Sequence, residues 1–555
     1  MEAFWSACEG AWVRGWGMMT RRDFVRWSAG VTAAAWGAGC AKRESAAVRG
    51  VKDGILLRSN GTEPEALDPH IVRGAAEWAI IGALYEGLTV LDPKTLTPAP
   101  GVAERWEVST NGKTYRFFLR AGATWANGDA LTAEDFVWSA RRLMAPALGA
   151  AHVGDTLIFV SGAKDFVSGK TKDFATVGVR AEGARTVVFE LENPTPFFPS
   201  ALVQFYPVHR ASVEKAGDWL DRKAAWTRPG AMVSNGPFAL ARWEQGKEVA
   251  VLKNARYWDA AAVRLNGVTF FPYENPATEE TAFRSGQIHI TSSLPLQKIE
   301  AYQRESPEVL KIVPDLGNYF YTFNVTVAPF SDARVRRALS LATDRESLVR
   351  NVVKGGKVAA ASFTPPEMGG YTANARLRFA PEEARALLAA AGFPGGKGFP
   401  RVELVIDSRD YHRVIAEALQ QMWQKELGVR VELRNEETRV LIASKRAMQF
   451  GLVRGSWNAS TYQDPYFFLG PWVTGGLYNE AKWSSAGYDA LITRSEQTAD
   501  AGARLELMRQ AEDVLLEELP VLPLYFGTQV FLMAKEVTGY SGKAFGDRAV
   551  KQLGF

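Results

Sequence analysis

The sequence predicts an α/β protein with more than one lobe, and three observations carry that expectation. Strand-like alternation and helix-like periodicity follow one another from Ile55 onward without a fixed repeat. Beyond Pro314 the pattern becomes regular, with helical stretches separated by short apolar runs such as Val402-Glu-Leu-Val-Ile406, as in a sheet covered by helices. A chain of 555 residues that is 47% hydrophobic also has enough apolar side chains for two or three domains.

The first element is Thr20-Arg21-Arg22-Asp23-Phe24, followed by the apolar stretch from Val31 to Ala38 and by Gly39-Cys40. The stretch is too short and too rich in small residues to span a bilayer, so residues 1–39 read as a signal peptide. Arg21 and Arg22 predict the twin-arginine export route. Gly37-Ala38-Gly39-Cys40 is similar to a lipobox whose cysteine takes the lipid, although Leu, Val or Ile is usual where Gly37 stands. An ordinary cleaved signal with a chance cysteine is the plainer alternative. Residues 40–52 read as a polar tether. Cys8 precedes the expected cleavage point, so Cys40 alone would remain and no intramolecular disulfide is expected.

Further along, Trp106-Glu-Val and Thr114-Tyr-Arg-Phe-Phe-Leu flank Asn111-Gly112, which supplies the positive φ angles of a tight hairpin turn. Thr132 caps a helix carrying Phe136, Val137 and Leu143, with Asp135 in its first turn. Strands follow at 186–191 and 249–252, separated by a Pro-rich segment from Pro194 to Pro199 that reads as a crossing between domains. Helices are predicted at about 332–353, at 381–391 with Pro at the start and Gly392 past the end, and at 411–427. Strands lie at 402–406 and 429–433. After a helix at about 501–518, Val521-Leu-Pro-Leu-Tyr-Phe526 reads as a strand returning toward the earlier half. A chain that crosses between lobes more than once predicts a hinge with a ligand cleft beside it.

A net charge of only +4 over the whole chain gives no footprint for nucleic acid. The five histidines, His70, His152, His209, His289 and His412, are scattered without metal-ligand spacing, and neither a metal nor a cofactor is expected. No Gly-x-Ser-x-Gly elbow is present. Gly169-Lys170-Thr171 lacks the first glycine of a phosphate loop. Ser161-x-x-Lys164 and Ser212-x-x-Lys215 leave an exported serine acyl-enzyme as the rival from the enzyme class, without an accompanying Lys-Thr-Gly. The expectation is a protein that is not an enzyme.

Several stretches, in order, bear a family resemblance. They are Glu63-Pro-Glu-Ala-Leu-Asp-Pro-His70, Tyr85-Glu-Gly-Leu-Thr89, Asn111 to Arg120, Trp125-Ala-Asn-Gly-Asp129, and Asn235-Gly-Pro-Phe238 with Asn254-Ala-Arg-Tyr-Trp258. The most specific is Tyr321-Thr-Phe-Asn324 running through Pro329 to Arg345; Asn479, Trp483, Tyr488 to Ile492 and Pro520 to Tyr525 complete the set. From about residue 55 to the end, the chain resembles the extracytoplasmic solute-binding proteins of peptide-type ABC transporters.

The resemblance implies a two-lobed periplasmic-binding-protein flytrap of type II with an extra family-specific domain. Lobe I would comprise 53–84, 196–313 and 527–555, the insert 85–195 and lobe II 314–526. It implies a monomer that encloses a peptide or peptide-like ligand between the lobes and docks on an ABC permease in the inner membrane, held in the cell envelope through lipid on Cys40. The same fold binding a nickel chelate, a cell-wall peptide or an oligosaccharide is the alternative.

Ligand residues of the resembled family concentrate around Arg454-Gly-Ser-Trp457-Asn458-Ala459-Ser460-Thr461-Tyr462-Gln463-Asp464-Pro465. Oligopeptide binders similar to this chain place an Asp a few residues after the Trp, where it pairs with the peptide α-ammonium. Counting from either end puts Ser460 or Thr461 there, with Asp464 in a separate Asp-Pro turn. Arg73 stands where a Glu is typical, and Thr438 follows Asn435-Glu436-Glu437 where a Trp is usual. His412, Lys445 and Arg454 match positions that are often basic and can meet a ligand carboxylate. Trp457 is expected as a platform under the ligand. The expectation is an N-blocked, branched or less cationic ligand; a transfer of the missing acid's role to Asp464 or to a nearby carboxylate is the alternative.

Overall fold

The computed structural model describes residues 44–555 except 73, 155, 367, 375, 408–409, 460–461, 477 and 544–549. The expected signal with Arg21 and Arg22, the expected lipidation at Cys40, and the site positions Arg73, Ser460 and Thr461 therefore lie outside the described residues.

Three sheets of four or more strands organise residues 46–555. The first has the order Ile55–Ser59, Gly267–Phe271, Glu248–Lys253, Phe238–Glu244. Its first pair is parallel and the others antiparallel. The second sheet lies wholly within residues 103–190, in the order Ala103–Val108, Thr114–Leu119, Thr186–Glu190, Val179–Ala181. Gly112 turns its hairpin at φ 69°. Helix Ala133–Met144 starts in a capping box in which Thr132 and Asp135 satisfy each other's backbone N–H groups. Its Phe136, Ala140 and Leu143 bury in one core with Phe117 and Phe189 of the sheet.

The third sheet has six strands in the order Val358–Ala359, Val521–Leu532, Leu310–Phe323, Leu452–Asn458, Val402–Asp407, Val431–Glu436. Side chains alternate across it. Tyr319 and Tyr321 join the core under helices Ala333–Leu341, Pro381–Ala390 and Asp410–Leu427, whereas Phe320 joins the opposite core under Ala486–Gln497 and Ala501–Glu518.

Two long strands connect the first and third sheets. Leu310–Phe323 pairs antiparallel with Val521–Leu532, and the register shifts between Pro314 and Asn318, leaving Asp315 to Gly317 as an irregular step. The far end of the second strand reaches the first sheet through bridges from Met533 to Ile290 and from Ile290 to Arg58. The backbone of both strands thus runs from one sheet region to the other.

Two elements differ from expectation. The helical period over 332–353 breaks after Leu341, because Asp344 caps a new turn by accepting from the N–H of Ser347 at 2.9 Å. There the buried Arg345 donates to the carbonyls of Pro523 and Ser340 at 2.7 and 3.1 Å. The polar segment expected as a tether over 40–52 carries a helix at Ala46–Asp53, where the carbonyl of Ala47 accepts from His289 Nε2 at 2.8 Å.

Candidate functional site

The parallel strands Val402–Asp407 and Leu452–Asn458 end on the same side of the third sheet, so Asp407 and the Trp457-Asn458 pair lie at carboxyl ends. This is where open α/β sheets hold ligands. Trp457 pairs with Asn318 in the register, and its ring sits against Phe320, Phe363 and Trp472, the last stacked at 5.1 Å with the planes inclined by 28°. The packing fixes its orientation, and one part of it remains in open space.

That part separates two cavities. One, of about 450 Å³, is lined by Asp315, Asn318, Tyr319, Lys357, Ser456 and Asn458 as well as Trp457. The other, of about 550 Å³, lies between residues 154–197 and 457–504. The ring of Phe197 stacks on Tyr462 at 5.0 Å and on Tyr466 at 5.5 Å at its wall.

His412 and Arg454, which were expected to meet a ligand carboxylate, come together around Asp407. His412 is fully buried; its Nδ1 lies 2.7 Å from the hydroxyl of Tyr319 and its Nε2 lies 3.4 Å from Asp407 Oδ1. Arg454 Nη1 is 3.6 Å from Asp407 Oδ2, with the guanidinium 5.6 Å from the Tyr319 ring. Burial pushes the Tyr319 phenol well above its ordinary pKa, so it stays a neutral hydroxyl. Tyr319 also stacks on Tyr525 at 4.9 Å, and both rings face the smaller cavity. His412 and Arg454 are thus held behind a wall of tyrosines, anchored to one buried carboxylate.

The remaining expected residues separate. Lys445 pairs with Glu480 at 2.9 Å and lines neither cavity. Asn458 donates from Nδ2 to the carbonyl of Asp315 at 2.7 Å, pinning the strand end to the irregular step of its neighbour. Asp464 has both oxygens on Arg504, at 2.7 and 2.8 Å, and accepts from the N–H of Tyr466 at 2.9 Å. Burial opposes the charge on Arg504, and Asp464 more than offsets it, leaving the guanidinium above its usual pKa. Asp464 is therefore engaged in holding the chain, which corrects the idea that it stands in for the missing acid.

Sequence reasoning missed Tyr319, Asp407 and Phe197. Asp407 follows the apolar run of a parallel strand, a position whose carboxyl-end geometry could have marked it. Phe197 lies inside the Pro-rich crossing segment, and only its partners 265 and more residues onward reveal its place. Among the described residues, no group of three or more His, Cys, Asp or Glu side chains is arranged to hold a metal ion, and no helix is long and apolar enough to cross a membrane.

Comparison with known proteins places this geometry. Residues 97–480 match the family described as "Bacterial extracellular solute-binding proteins, family 5 Middle". The chain is 34% identical over 502 residues to the periplasmic oligopeptide-binding protein OppA of Salmonella typhimurium, covering 88% of this chain and 90% of that protein. It is 35% identical over 495 residues to the probable deoxycholate-binding periplasmic protein YgiS of Escherichia coli, covering 88% and 90%. The solved structure of the periplasmic murein tripeptide binding protein MppA in an unliganded open form superposes with a TM-score of 0.80 at 30% identity, over 91% of this chain and 98% of that one. The chain belongs to the bacterial extracellular solute-binding proteins of family 5.

Proposed function

We propose that this protein captures a peptide or peptide-like solute in the cleft marked by Trp457 and delivers it to an ABC permease, with no catalytic step. The observation that carries the reading is the placement of Trp457, Asn458 and Asp407 at the carboxyl ends of parallel strands, beside the two long strands that join the sheets. Relatives named for binding oligopeptides and a murein tripeptide support the ligand class. Trp457 is the platform, Arg454, part of whose side chain is exposed, is the candidate for the ligand's carboxylate end, and His412, fully buried between Tyr319 and Asp407, supports that wall and meets no ligand. Lys445, compensated by Glu480, has a supporting role in the fold.

The amino end is read differently. Counting along the sequence puts Ser460 or Thr461 where similar oligopeptide binders carry an acid, and Asp464 is occupied by Arg504. The ligand is accordingly N-blocked or otherwise poor in positive charge. Calorimetry with one tripeptide and its N-acetyl form tests this: the acetylated form is expected to bind at least as tightly, and a clear preference for the free amine sinks the reading. The protein works as a monomer in the periplasm, exported through Arg21 and Arg22 and anchored by lipid on Cys40; failure of Cys40 to incorporate labelled palmitate would remove the anchor.

A further inference from the structure

The two cavities beside Trp457 differ in charge balance. The smaller has one residue of each sign in its walls, Asp315 and Lys357, and the Lys357 ammonium donates to the carbonyl of Thr528 at 2.6 Å. In the larger, the charged residues among those described are Lys164, Glu192, Arg504 and Glu496. Lys164 pairs with Glu192 at 3.2 Å, and Arg504 is held by Asp464 at 2.7 Å. Glu496 accepts from the hydroxyl of Tyr466 at 2.5 Å. Burial first, then the charge of Glu496, pushes the Tyr466 phenol well above its ordinary pKa, so this partner is neutral. The larger cavity therefore carries one carboxylate in excess.

Two features of the fold add to its pull on a cation. Glu496 stands in the last turn of helix Ala486–Gln497, where the carbonyl ends already make the helix negative, so an acid there costs the helix stability instead of adding to it. Arg494 in the same turn is exposed and lines neither cavity. The rest of the wall is largely aromatic, with Phe159, Phe197, Tyr462, Tyr466 and Phe467, and ring faces attract cations, the more so away from water. The wall already holds one such combination of its own, since the Arg504 guanidinium lies 5.0 Å from the Phe197 ring with Asp464 on its fork. A guanidinium suits this space better than an ammonium: it is planar, stacks on rings and is the more weakly hydrated of the two, so it gives up less on leaving water. About 550 Å³ also leaves room for its aliphatic stem, which the rings would bury.

We infer that the larger cavity takes an arginine side chain of the ligand, its guanidinium paired with Glu496 and lying among the aromatic rings. The inference rests on the reading of the cleft as a peptide site with a blocked amino end, which leaves the ligand's positive charge to a side chain.

Calorimetry on the full chain tests it with N-acetyl tripeptides of alanine that carry arginine at the first, second or third position, each beside its citrulline counterpart, and with trialanine in free and N-acetyl forms. Citrulline keeps the shape of the arginine side chain and removes its charge. At one position the arginine peptide is expected to bind about tenfold more tightly than the citrulline peptide, as a charge-assisted hydrogen bond allows. In Glu496→Gln, whose amide oxygen can still accept from Tyr466, that ratio falls toward one. Ratios near one at all three positions in the wild type overturn the inference while leaving the peptide reading intact, and this comparison needs no variant to fold. An arginine advantage that survives in Glu496→Gln also overturns it, since the charge is then met elsewhere. So does free trialanine that binds more tightly than its acetyl form in the wild type and not in the variant, because Glu496 would then hold the α-ammonium. If no peptide binds, the peptide reading falls and the inference with it.

Discussion

Arg504 and Asp464 meet fork to fork, Nη1 to Oδ2 at 2.8 Å and Nη2 to Oδ1 at 2.7 Å, with both side chains almost entirely removed from water. The pair ties helix Ala501–Glu518 to the loop that follows strand Leu452–Asn458, and the guanidinium also lies 5.0 Å from the ring of Phe197. Asp464→Ala would leave a buried guanidinium without its counter-charge. The expected loss is about 3–5 kcal/mol of folding stability, read by chemical denaturation. A loss below about 1 kcal/mol would be that of a surface pair and would return Asp464 to the list of residues available to a ligand.

Arg454 and His412 approach Asp407 from two sides, at 3.6 and 3.4 Å. If Arg454 faces a ligand carboxylate, its removal should discriminate between carboxylate and amide. Arg454→Ala is expected to weaken binding of a tripeptide acid by about 1.5–3 kcal/mol, the range for hydrogen bonds to charged groups, and to affect the C-terminal amide much less. Calorimetry with both ligands makes the comparison. An equal loss for acid and amide would assign Arg454 to the support of Asp407 alone.

What the sequence made legible was local. The Asn111-Gly112 turn, the Thr132 cap and the Pro381 helix start each rest on chemistry within a few residues, and the corresponding hairpin and helices are present at Ala103–Leu119, Ala133–Met144 and Pro381–Ala390. What stayed hidden depends on partners far along the chain. The helical period does not reveal a break at Asp344, since Arg345 is held by Pro523, 178 residues away. The engagement of Asp464 required knowledge of Arg504, 40 residues on, and the knot of Tyr319, Asp407, His412 and Arg454 gathers three strands and a helix. Resemblance located His412 and Arg454, but only packing shows that they share one carboxylate.

Gly236 offers a test of the long-range packing beside the insert. Its N–H donates to the carbonyl of Leu84 at 2.8 Å, and a Cβ at this position would stand 2.6 Å from Leu84 backbone atoms and from the N of Tyr85. Those atoms belong to backbone and cannot rotate away. The neighbouring Asn235 bonds both backbone groups of Glu86, at 2.8 and 3.2 Å, which prevents the two segments from sliding apart. Gly236→Ala is expected to cost about 1–3 kcal/mol, as overpacking does, and to lower the melting temperature. An unchanged melting temperature would mean that the two segments separate freely.

His70 carries a prediction about pH. Its Nε2 lies 3.0 Å from the carbonyl of Tyr206 and its Nδ1 lies 2.9 Å from Arg142 Nη1. A carbonyl only accepts and a guanidinium only donates, so the ring is neutral with its proton on Nε2. A second proton on Nδ1 would face the Arg142 N–H in a buried site. Burial first, then the charge of Arg142, pulls the pKa down to about 3, with Asp68 partly opposing. The unfolded histidine titrates near 6.5, so between about 6.5 and 3 the unfolded chain binds a proton that the native state refuses. Stability from this group is therefore complete above pH 6.5 and declines as pH falls through that window. In His70→Gln the amide can still donate to Tyr206 and accept from Arg142, but it does not titrate. The stability difference between wild type and variant should thus shrink by about 3 kcal/mol between pH 6.5 and roughly 4, above the range where the carboxyl of Asp68, itself held low, contributes. Urea denaturation at pH 7, 5.5 and 4 measures it. A difference that stays constant across these values would mean that His70 accepts its second proton in the folded protein as readily as in the unfolded chain, which the facing N–H of Arg142 forbids.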